Sequence, residues 1–523
     1  MRAVKLFALL VVAPVLGLLP ACTDLTETPA SSITPDNFYK NLDEVNGGLA
    51  SVYSQLRYIF NGGGLGDPGY WALSEVSSDE MIVPTRGGDW EDNGRWIELH
   101  DQTWTANSNA GISFINDSWV VTFRGITRAN VVLAALENVS VPNKPVIQAE
   151  LRTLRALFYY ELMDLFGGVP IVTTTEIVPR PKNTRKEVFD FIDKELNETR
   201  LVLPDSWPAE MNGRMTKGAA NAILANMYLN AGVFAAAAPS ATAYNSCMTV
   251  QIGGVTACQA AINAADRILN SGVYTLATDW RANFRYDNHL SPEIILAAKF
   301  INDPDLGFHI IQTSLHYNQF SASPWNGFSI VAAAYNAFDP ADLRRSVFLV
   351  GPQVQIETQA PVTERAPSTA RLSFTVTIGN EKDARENEGV RFLKWPYDPG
   401  HVQQGNGNDF AYFRLAEMYM IKAEALNEIT PGSAPALVLL NQLRQRVFTP
   451  PKPLTVIDRD AILRERLFEF AVEGKRRQDL IRNGKYTAPW EFKTATTASY
   501  RILFSIPQTQ LDANPLLVQN TGY

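Results

Sequence analysis

Acidic and histidine side chains are the first candidates for chemistry in this 523-residue chain. The five histidines do not form the H-E-x-x-H spacing that places two imidazoles around zinc. The sequence also lacks a G-x-S-x-G turn, which would expose a nucleophilic serine. Asp89, Glu91 and Asp92 could pair as the two carboxylates of a glycosidase, but acids in a polar loop are more often solvated than catalytic. The sequence therefore predicts a protein that is not an enzyme and that needs no metal or cofactor.

Tryptophans in a charged loop indicate ligand binding instead. The stretch DEMIVPTRGGDWEDNGRWIELHDQTWTANS (residues 79–108) holds Trp90, Trp96 and Trp104 among arginine, aspartate and asparagine. Such a combination suits a sugar, because the ring face stacks on the apolar face of the sugar while its hydroxyls find polar partners. The alternative is that these rings cover small cores beneath the loop, and strand-like neighbours favour that alternative for Trp104.

A second aromatic group lies in another long loop, residues 279–342. Long loops inside a compact chain are usually functional or carry irregular structure of their own. We expect the same of residues 61–109 and 351–404, and within the latter LSFTVTIG (residues 372–379) alternates like a strand. The aromatic and imidazole side chains of the second group are Tyr286, His289, His316, Tyr317, Phe320 and Trp325.

The three cysteines suggest two different roles. Cys247 and Cys258 are eleven residues apart and could close a local disulfide in an exported protein, the alternative being two buried free thiols. Cys22 follows Arg2, Lys5 and an apolar run (residues 6–19) that is too short to span a bilayer.

Leu-Pro-Ala-Cys at residues 19–22 resembles the lipobox of bacterial lipoproteins. It predicts that residues 1–21 are a signal peptide that is removed and that Cys22 is lipidated, so that acyl chains anchor the protein to a membrane. The alternative is an ordinary signal peptide with an incidental cysteine. The formal net charge of −8 and the absence of a basic tract argue against nucleic acid and anionic lipid headgroups as partners.

Helices must position the loops. ELRTLRALFYYELMDLF (residues 150–166) has apolar residues on one helical face and is followed by Gly167 and Gly168, which end helices. Residues 217–234 and 411–429 share an L-A-x-x-Y pattern, and each is followed by a second helical segment, as in a tetratricopeptide unit. The period is irregular and long inserts intervene, so we do not expect a simple solenoid.

Charged residues near the C-terminus have the spacing of helix-surface ion pairs. Glu473 and Arg477 are four apart, and Arg466 and Glu469 are three apart. As exposed pairs they would contribute only about 0.3–0.5 kcal/mol each, so we expect a structural role.

Together these segments resemble the SusD/RagB-like outer-membrane nutrient-binding lipoproteins. The resemblance runs nearly from end to end and implies a mainly α, SusD-like fold with irregular tetratricopeptide-like helix pairs. It also implies a loop-rich ligand-binding half with minor β structure. Its N-terminal region spans residues 22–235 and its C-terminal region residues 285–523, in one intertwined unit. The matching segments, in order, are ITPDNFYKNLDEVNGGLASVYSQLR, SSDEMIVPTRGGDW, SWVVTFRGITRANVVLAAL, ELRTLRALFYYELMDLFGGVPIV, RLAEMYMIKAEALNEI, ILRERLFEFAVEGKRRQDLIR and IPQTQLDANPLLVQNTGY.

The resemblance also implies a function. It predicts a cell-surface lipoprotein that binds oligosaccharide or polysaccharide and hands it to a SusC-like TonB-dependent β-barrel transporter. On this resemblance, Trp90, Tyr317 and Trp325 form the aromatic platform of the ligand site, with Arg86 and Asp89 as polar contacts. The alternatives are a peptide-binding member of the family, a lipid-anchored glycosidase, and a helical scaffold that binds a protein segment.

Overall fold

The structure is a computed structural model that describes residues 38–61 and 69–523. The predicted signal peptide (residues 1–21) and the predicted lipid attachment site Cys22 lie outside the described residues. In chain order the helices are α1 (Leu42–Tyr53), α2 (Gln55–Asn61), α3 (Tyr70–Val76), α4 (Arg95–Asp101), α5 (Asn116–Glu137), α6 (Lys144–Phe166), α7 (Arg185–Thr199), α8 (Lys217–Leu229), α9 (Ala231–Phe234), α10 (Ala257–Leu269), α11 (Ile310–Ser314), α12 (Ala332–Ala337), α13 (Leu415–Ile429), α14 (Ala434–Gln445), α15 (Arg459–Phe470), α16 (Arg476–Arg482) and α17 (Gln508–Ala513).

The strands are short and pair two by two. Each pair is antiparallel, and the pairs are β1–β5, β4–β10, β2–β3, β6–β9 and β7–β8. The strands are β1 (Met81–Ile82), β2 (Gln251–Ile252), β3 (Val255–Thr256), β4 (Ile294–Ala298), β5 (Ser329–Ile330), β6 (Phe348–Leu349), β7 (Gly351–Pro352), β8 (Ser373–Phe374), β9 (Arg391–Phe392) and β10 (Phe410–Arg414).

The long helices pack against one another in succession. Helix α5 packs on α6, α6 on α7, α7 on α8, α8 on α10, α10 on α13, and α13 on α14. Small residues allow this close packing; a Cβ at Gly125 of α5, for example, would lie 2.5 Å from the ring of Phe158 on α6. The expectation of a mainly α fold with irregular tetratricopeptide-like pairs is confirmed.

Local sequence signals set several helix boundaries. Helix α7 begins with a capping box. The Thr184 side chain accepts a hydrogen bond from the backbone N–H of Glu187, and the Glu187 carboxylate accepts one from the backbone N–H of Thr184. Helix α6 has a proline in its first turn and ends at Gly167, whose φ is +76°. The end predicted at Gly167 is therefore confirmed.

Two predicted elements differ from the structure. The helix expected from residue 411 begins at Leu415, because Phe410–Arg414 pairs with β4 as strand β10. The strand expected over residues 372–379 is reduced to Ser373–Phe374, because the backbone on either side bonds to other loops: Leu372 donates to Val362 and Thr375 to Asn387.

The N-terminal and C-terminal regions contact each other at several points. The indole N–H of Trp71 donates to the carbonyl of Val472 at 2.8 Å. Arg477 of α16 donates to Asp164 of α6 at 2.9 Å. Helix α10, which lies between the two predicted regions in sequence, packs between α8 and α13 and so joins them.

A buried ion cluster joins β10 to the end of α15. Arg414 lies 3.0 Å from Glu293, 2.6 Å from Glu469 and 2.8 Å from Glu473, all of them buried. Lys394 reaches the same Glu473 at 2.6 Å. Burial raises the pKa of Glu469, but the surrounding arginines outweigh it and hold that pKa well below its ordinary value.

The two ion pairs predicted within the C-terminal run are therefore wrong. Helix α15 ends at Phe470 and Val472 has a φ of +68°, so Glu473 and Arg477 do not share one continuous helix. Glu473 forms an ion pair with Arg414 of β10 instead, and Arg466 forms one with Asp479 at 2.7 Å. These groups are buried, not exposed.

One helical stretch among the described residues, Gly111–Glu137, is long and apolar enough to cross a membrane by length and composition. Half of its apolar window is buried inside the fold, where α5 packs against α1 and α6. A single such helix is weak evidence for a membrane span, and a buried core helix passes the same test.

Candidate functional site

A short strand pair brings the two aromatic loops together. Met81 pairs with Ile330 and Ile82 with Ser329, in the antiparallel ladder of β1 and β5. The loop that follows β1 (residues 83–94) therefore lies beside the segment that precedes β5 (residues 316–328). The sequence analysis identified each loop as a candidate ligand loop, but it did not predict that the two loops lie side by side.

A tight turn presents Asp89. The backbone of Arg86 and Asp89 exchanges two hydrogen bonds, of 2.9 and 3.1 Å, around Gly87 and Gly88. Gly87 has a φ of +63°, in the left-handed region that glycine adopts without steric cost. The R-G-G-D sequence is thus a two-residue hairpin that holds the aspartate and the following Trp90 at the loop tip.

Trp90 is half-buried and rests on other rings. It meets Trp96 and Phe328 edge to face, each with ring centroids 5.6 Å apart. Its indole N–H donates to the carbonyl of Trp325 at 2.6 Å. A Cβ at Gly327 would lie 2.4 Å from its ring, so only glycine fits there. Trp90 therefore supports the position of Trp325 as well as presenting part of its own ring.

Trp325 is the less constrained of the two indoles. Its side chain is half-buried, and unlike Trp90 it does not pack against the hydrophobic core within the described part of the chain. Its backbone is fixed, because its N–H donates to Gln312 at 2.7 Å and its carbonyl accepts from Trp90. A fixed backbone with a partly exposed ring suits a stacking platform.

Tyr317 and Asp89 are joined through a residue that the sequence did not indicate. The Tyr317 hydroxyl donates to the Asp89 carboxylate, and Arg365 donates to the same carboxylate at 3.1 Å. The Arg365 guanidinium lies over the Tyr317 ring, 3.8 Å from its centroid, and also contacts Glu386 at 3.3 Å. Burial and the bond to Asp89 raise the pKa of Tyr317, so its phenol stays protonated.

Arg86 lies beneath the surface of the cluster. It is 2% exposed, and its guanidinium donates to the Arg385 carbonyl and to Ser329 Oγ, the latter at 2.9 Å. Arg391 donates to the same Ser329 Oγ at 2.8 Å. Burial lowers the pKa of Arg86 to about 10. The five predicted site residues thus lie in one cluster, in which Arg86 tethers loops while the other four are partly exposed.

His316 is buried behind Tyr317. Its Nδ1 accepts from the N–H of Asn318 at 3.2 Å, which leaves the proton on Nε2, 3.5 Å from Glu386. Burial, followed by three nearby arginines, lowers the pKa of His316 to about 3. The imidazole is therefore neutral at physiological pH.

Core packing explains two of the tryptophans that the sequence suggested for ligand binding. Trp96 is 1% exposed and donates to Asp92 at 2.7 Å from within α4. Trp104 is 0% exposed and donates to the Tyr523 hydroxyl at 2.7 Å. The alternative interpretation is correct for both, although Trp104 lies in a loop and not in a strand.

The acidic side chains of the first loop, Glu91 and Asp92, already have hydrogen-bond or ion-pair partners within the protein. Asp92 accepts from Trp96 and lies 3.7 Å from Arg95, and Glu91 accepts from the backbone of Asn93. No group of three His, Cys, Asp or Glu side chains within residues 38–61 and 69–523 could hold a metal ion. Far from this cluster in sequence, Cys247 and Cys258 form a disulfide with Cα atoms 4.9 Å apart.

Comparison with known proteins identifies the family. The model of the SusD family matches residues 330–523, and a model described as "Starch-binding associating with outer membrane" matches residues 69–229. Starch-binding protein SusD of Bacteroides thetaiotaomicron is 26% identical over 88% of this chain and 86% of its own. SusD-like protein P25 of Formosa agariphila is 23% identical over 95% of this chain and 96% of its own.

Solved structures agree with this assignment. The surface glycan-binding protein A of Bacteroides uniformis is 22% identical, covers 91% of this chain and 99% of its own, and superposes with a TM-score of 0.71. A structure described as a laminarin-binding SusD-like protein gives a TM-score of 0.72 at 22% identity, over 93% of this chain and all of its own. At these identities the structures show the shared fold. With both family models matched in order and the helical fold in common, this chain belongs to the SusD/RagB family.

Proposed function

We propose that this chain is a lipid-anchored protein on the surface of the outer membrane that binds an oligosaccharide or polysaccharide. It then hands the glycan to a SusC-like TonB-dependent transporter. In this proposal residues 1–21 are removed and Cys22 carries the lipid. Binding, not catalysis, is the function, because the relatives are named for the glycans that they bind.

The observation that carries the proposal is the cluster of Trp90, Tyr317, Trp325 and Asp89. Their loops are more than 200 residues apart in sequence, yet side-chain and backbone hydrogen bonds join them. Partly exposed rings beside a carboxylate and a guanidinium offer stacking and hydrogen bonding together, which is what a sugar ring requires. Trp90, Tyr317, Trp325 and Asp89 are therefore the proposed ligand contacts, and Arg86 is proposed to position them.

The charges of the cluster indicate the class of glycan. The acids Asp89, Glu386 and Glu388 are balanced by Arg365 and by the buried Arg86 and Arg391. A surface with this balance has no excess positive charge to attract a strongly anionic polymer. We therefore expect a neutral glycan.

The comparison of ligand classes tests the proposal. The mature chain is titrated calorimetrically with neutral glucans (starch and laminarin oligosaccharides), an anionic polysaccharide such as polygalacturonate, and a mixture of peptides. We expect micromolar to millimolar binding of a neutral glycan, because two or three stacked rings contribute only modestly once the cost of association is subtracted. Binding of peptides alone would favour the peptide-binding alternative, and release of shorter sugars would show a glycosidase.

A further inference from the structure

One cavity of the protein shares none of the residues of the aromatic cluster. It has a volume of about 340 Å³ and lies between helices α1 and α2, the residues just before α8 and strand β4. Leu49, Leu56 and Ala297 line it and are 3%, 2% and 5% exposed. Ligand sites in proteins start at about this size and are mostly apolar with a few polar groups.

Two of the cations that line the cavity are neutralised. Arg214 pairs with Glu150, which is fully buried, and its Nε donates to that carboxylate at 2.9 Å. Lys299 pairs with Asp409, which is also buried. Each of these two cations is therefore balanced by a carboxylate of the protein.

Arg57 differs from these two cations. It lines the same cavity and is half-buried. Among the residues that the structure describes, none accepts a hydrogen bond from its guanidinium or forms an ion pair with it. Asn46 and Asn212 bring amide groups to the cavity as well. A half-buried guanidinium without a protein partner is free to pair with an anion, and its planar fork of N–H donors matches a carboxylate.

We propose that this cavity binds a small amphipathic carboxylate, such as an aromatic acid. The carboxylate pairs with Arg57, and the apolar body lies against Leu49, Leu56 and Ala297. This site is independent of glycan binding and of the aromatic cluster.

A matched pair of probes tests the charge requirement. Naphthalene-2-carboxylate and naphthalene-2-carboxamide have the same ring and differ in charge, and each is titrated into the mature chain. We expect the carboxylate to bind at least tenfold more tightly than the amide. Arg57→Gln should weaken the carboxylate about tenfold and leave the amide unchanged, because only a charge-assisted bond is lost. Equal binding of the two probes, or no binding of the carboxylate, would overturn the proposal.

A blocking variant tests the location. Ala50 is an exposed residue of α1 that lines this cavity, so Ala50→Phe should fill the cavity and abolish binding of the carboxylate. Ala134→Phe is the matched control, since Ala134 is an exposed alanine of α5 that lines a different cavity. The control should bind the probe as the unmodified chain does. If Ala50→Phe binds as well as the control, or if Arg57→Gln binds as the unmodified chain does, the site is wrong.

Discussion

At the residue scale, the two half-buried tryptophans of the cluster, Trp90 and Trp325, have different roles. Trp90 packs on Trp96 and Phe328 and donates its indole N–H to the Trp325 carbonyl. Trp325 has a fixed backbone and a ring that does not join the core. Substitution of Trp90 should therefore affect stability as well as binding, whereas substitution of Trp325 should affect binding alone.

Two substitutions of Trp90 separate ring packing from hydrogen bonding. We expect Trp90→Ala to lower the free energy of unfolding by about 1–3 kcal/mol, less than for a fully buried tryptophan. Trp90→Phe retains a ring and loses the 2.6 Å bond, and should cost about 1 kcal/mol. The helical circular dichroism of both native proteins should match that of the unmodified chain, because Trp90 lies in a loop. Urea unfolding measures the two values, and an unchanged midpoint for both variants would contradict the packing described for Trp90.

His316 gives the protein a pH dependence. Its pKa is about 3 in the folded protein and about 6.5 in an unfolded chain, so the unfolded state binds the proton more readily. The contribution of neutral His316 to the free energy of unfolding is therefore complete above about pH 6.5 and is lost progressively as the pH falls from about 6.5 to 3. His316→Gln should flatten the plot of unfolding free energy against pH in that window. His289→Gln, at an exposed histidine, is the control, and equal slopes for the two variants would contradict the assignment.

The residue types of the site could be predicted, but their connections could not. Aromatic rings beside polar groups indicated the two long loops. Within them, the family resemblance selected the five residues that the structure brings together: Arg86, Asp89, Trp90, Tyr317 and Trp325. Arg365 was missed because its pairing with Asp89, 276 residues away, depends on tertiary contacts that no local pattern reports. The burial of Trp104 was the favoured interpretation of the sequence, whereas for Trp96 the sequence left ligand binding and core packing open. A charged segment can bury a tryptophan when its N–H finds a partner, here Asp92 for Trp96 and Tyr523 for Trp104.

At the element scale, the buried ion cluster fixes the end of α15 against β10. Arg414→Met should destabilise the protein by about 3–5 kcal/mol, because three buried carboxylates, Glu293, Glu469 and Glu473, lose a partner. Lys186→Ala is the control: Lys186 and Asp190 form an exposed i, i+4 pair, so its loss should cost less than 0.5 kcal/mol. Chemical denaturation compares the two, and a similar loss in both would contradict the energetic role of the cluster.

Helical periodicity predicted most of the long helices, because their apolar faces and terminal signals are local. The turn after α15 could not be predicted in this way. Val472 has a φ of +68°, which a β-branched residue rarely adopts, and its N–H donates to the buried Glu80 at 2.6 Å. A tertiary contact therefore breaks a run of residues that local spacing alone would continue as a helix, and the ion pairs expected from that spacing were wrong.

At the scale of the whole molecule, the proposal requires attachment to a membrane through Cys22. Cys22→Ala should abolish membrane retention while leaving a folded, soluble domain, because the acyl chains that hold the protein at the membrane are attached to Cys22 in this proposal. Fractionation of cells grown with a radioactive fatty acid measures both label and location. Wild-type protein without label would contradict the prediction.

The central claim is that the aromatic cluster binds a neutral glycan. The most direct test of this claim is a calorimetric titration, in which the glycan selected from the ligand panel is titrated into the Trp325→Ala variant. The control is the Tyr286→Ala variant, because Tyr286 is 45% exposed and lies outside the cluster. We predict that Trp325→Ala weakens binding about tenfold, or ~1.4 kcal/mol, with unchanged thermal stability, and that Tyr286→Ala binds as the unmodified chain does. Equal affinity of both variants and the unmodified chain would show that the glycan binds elsewhere.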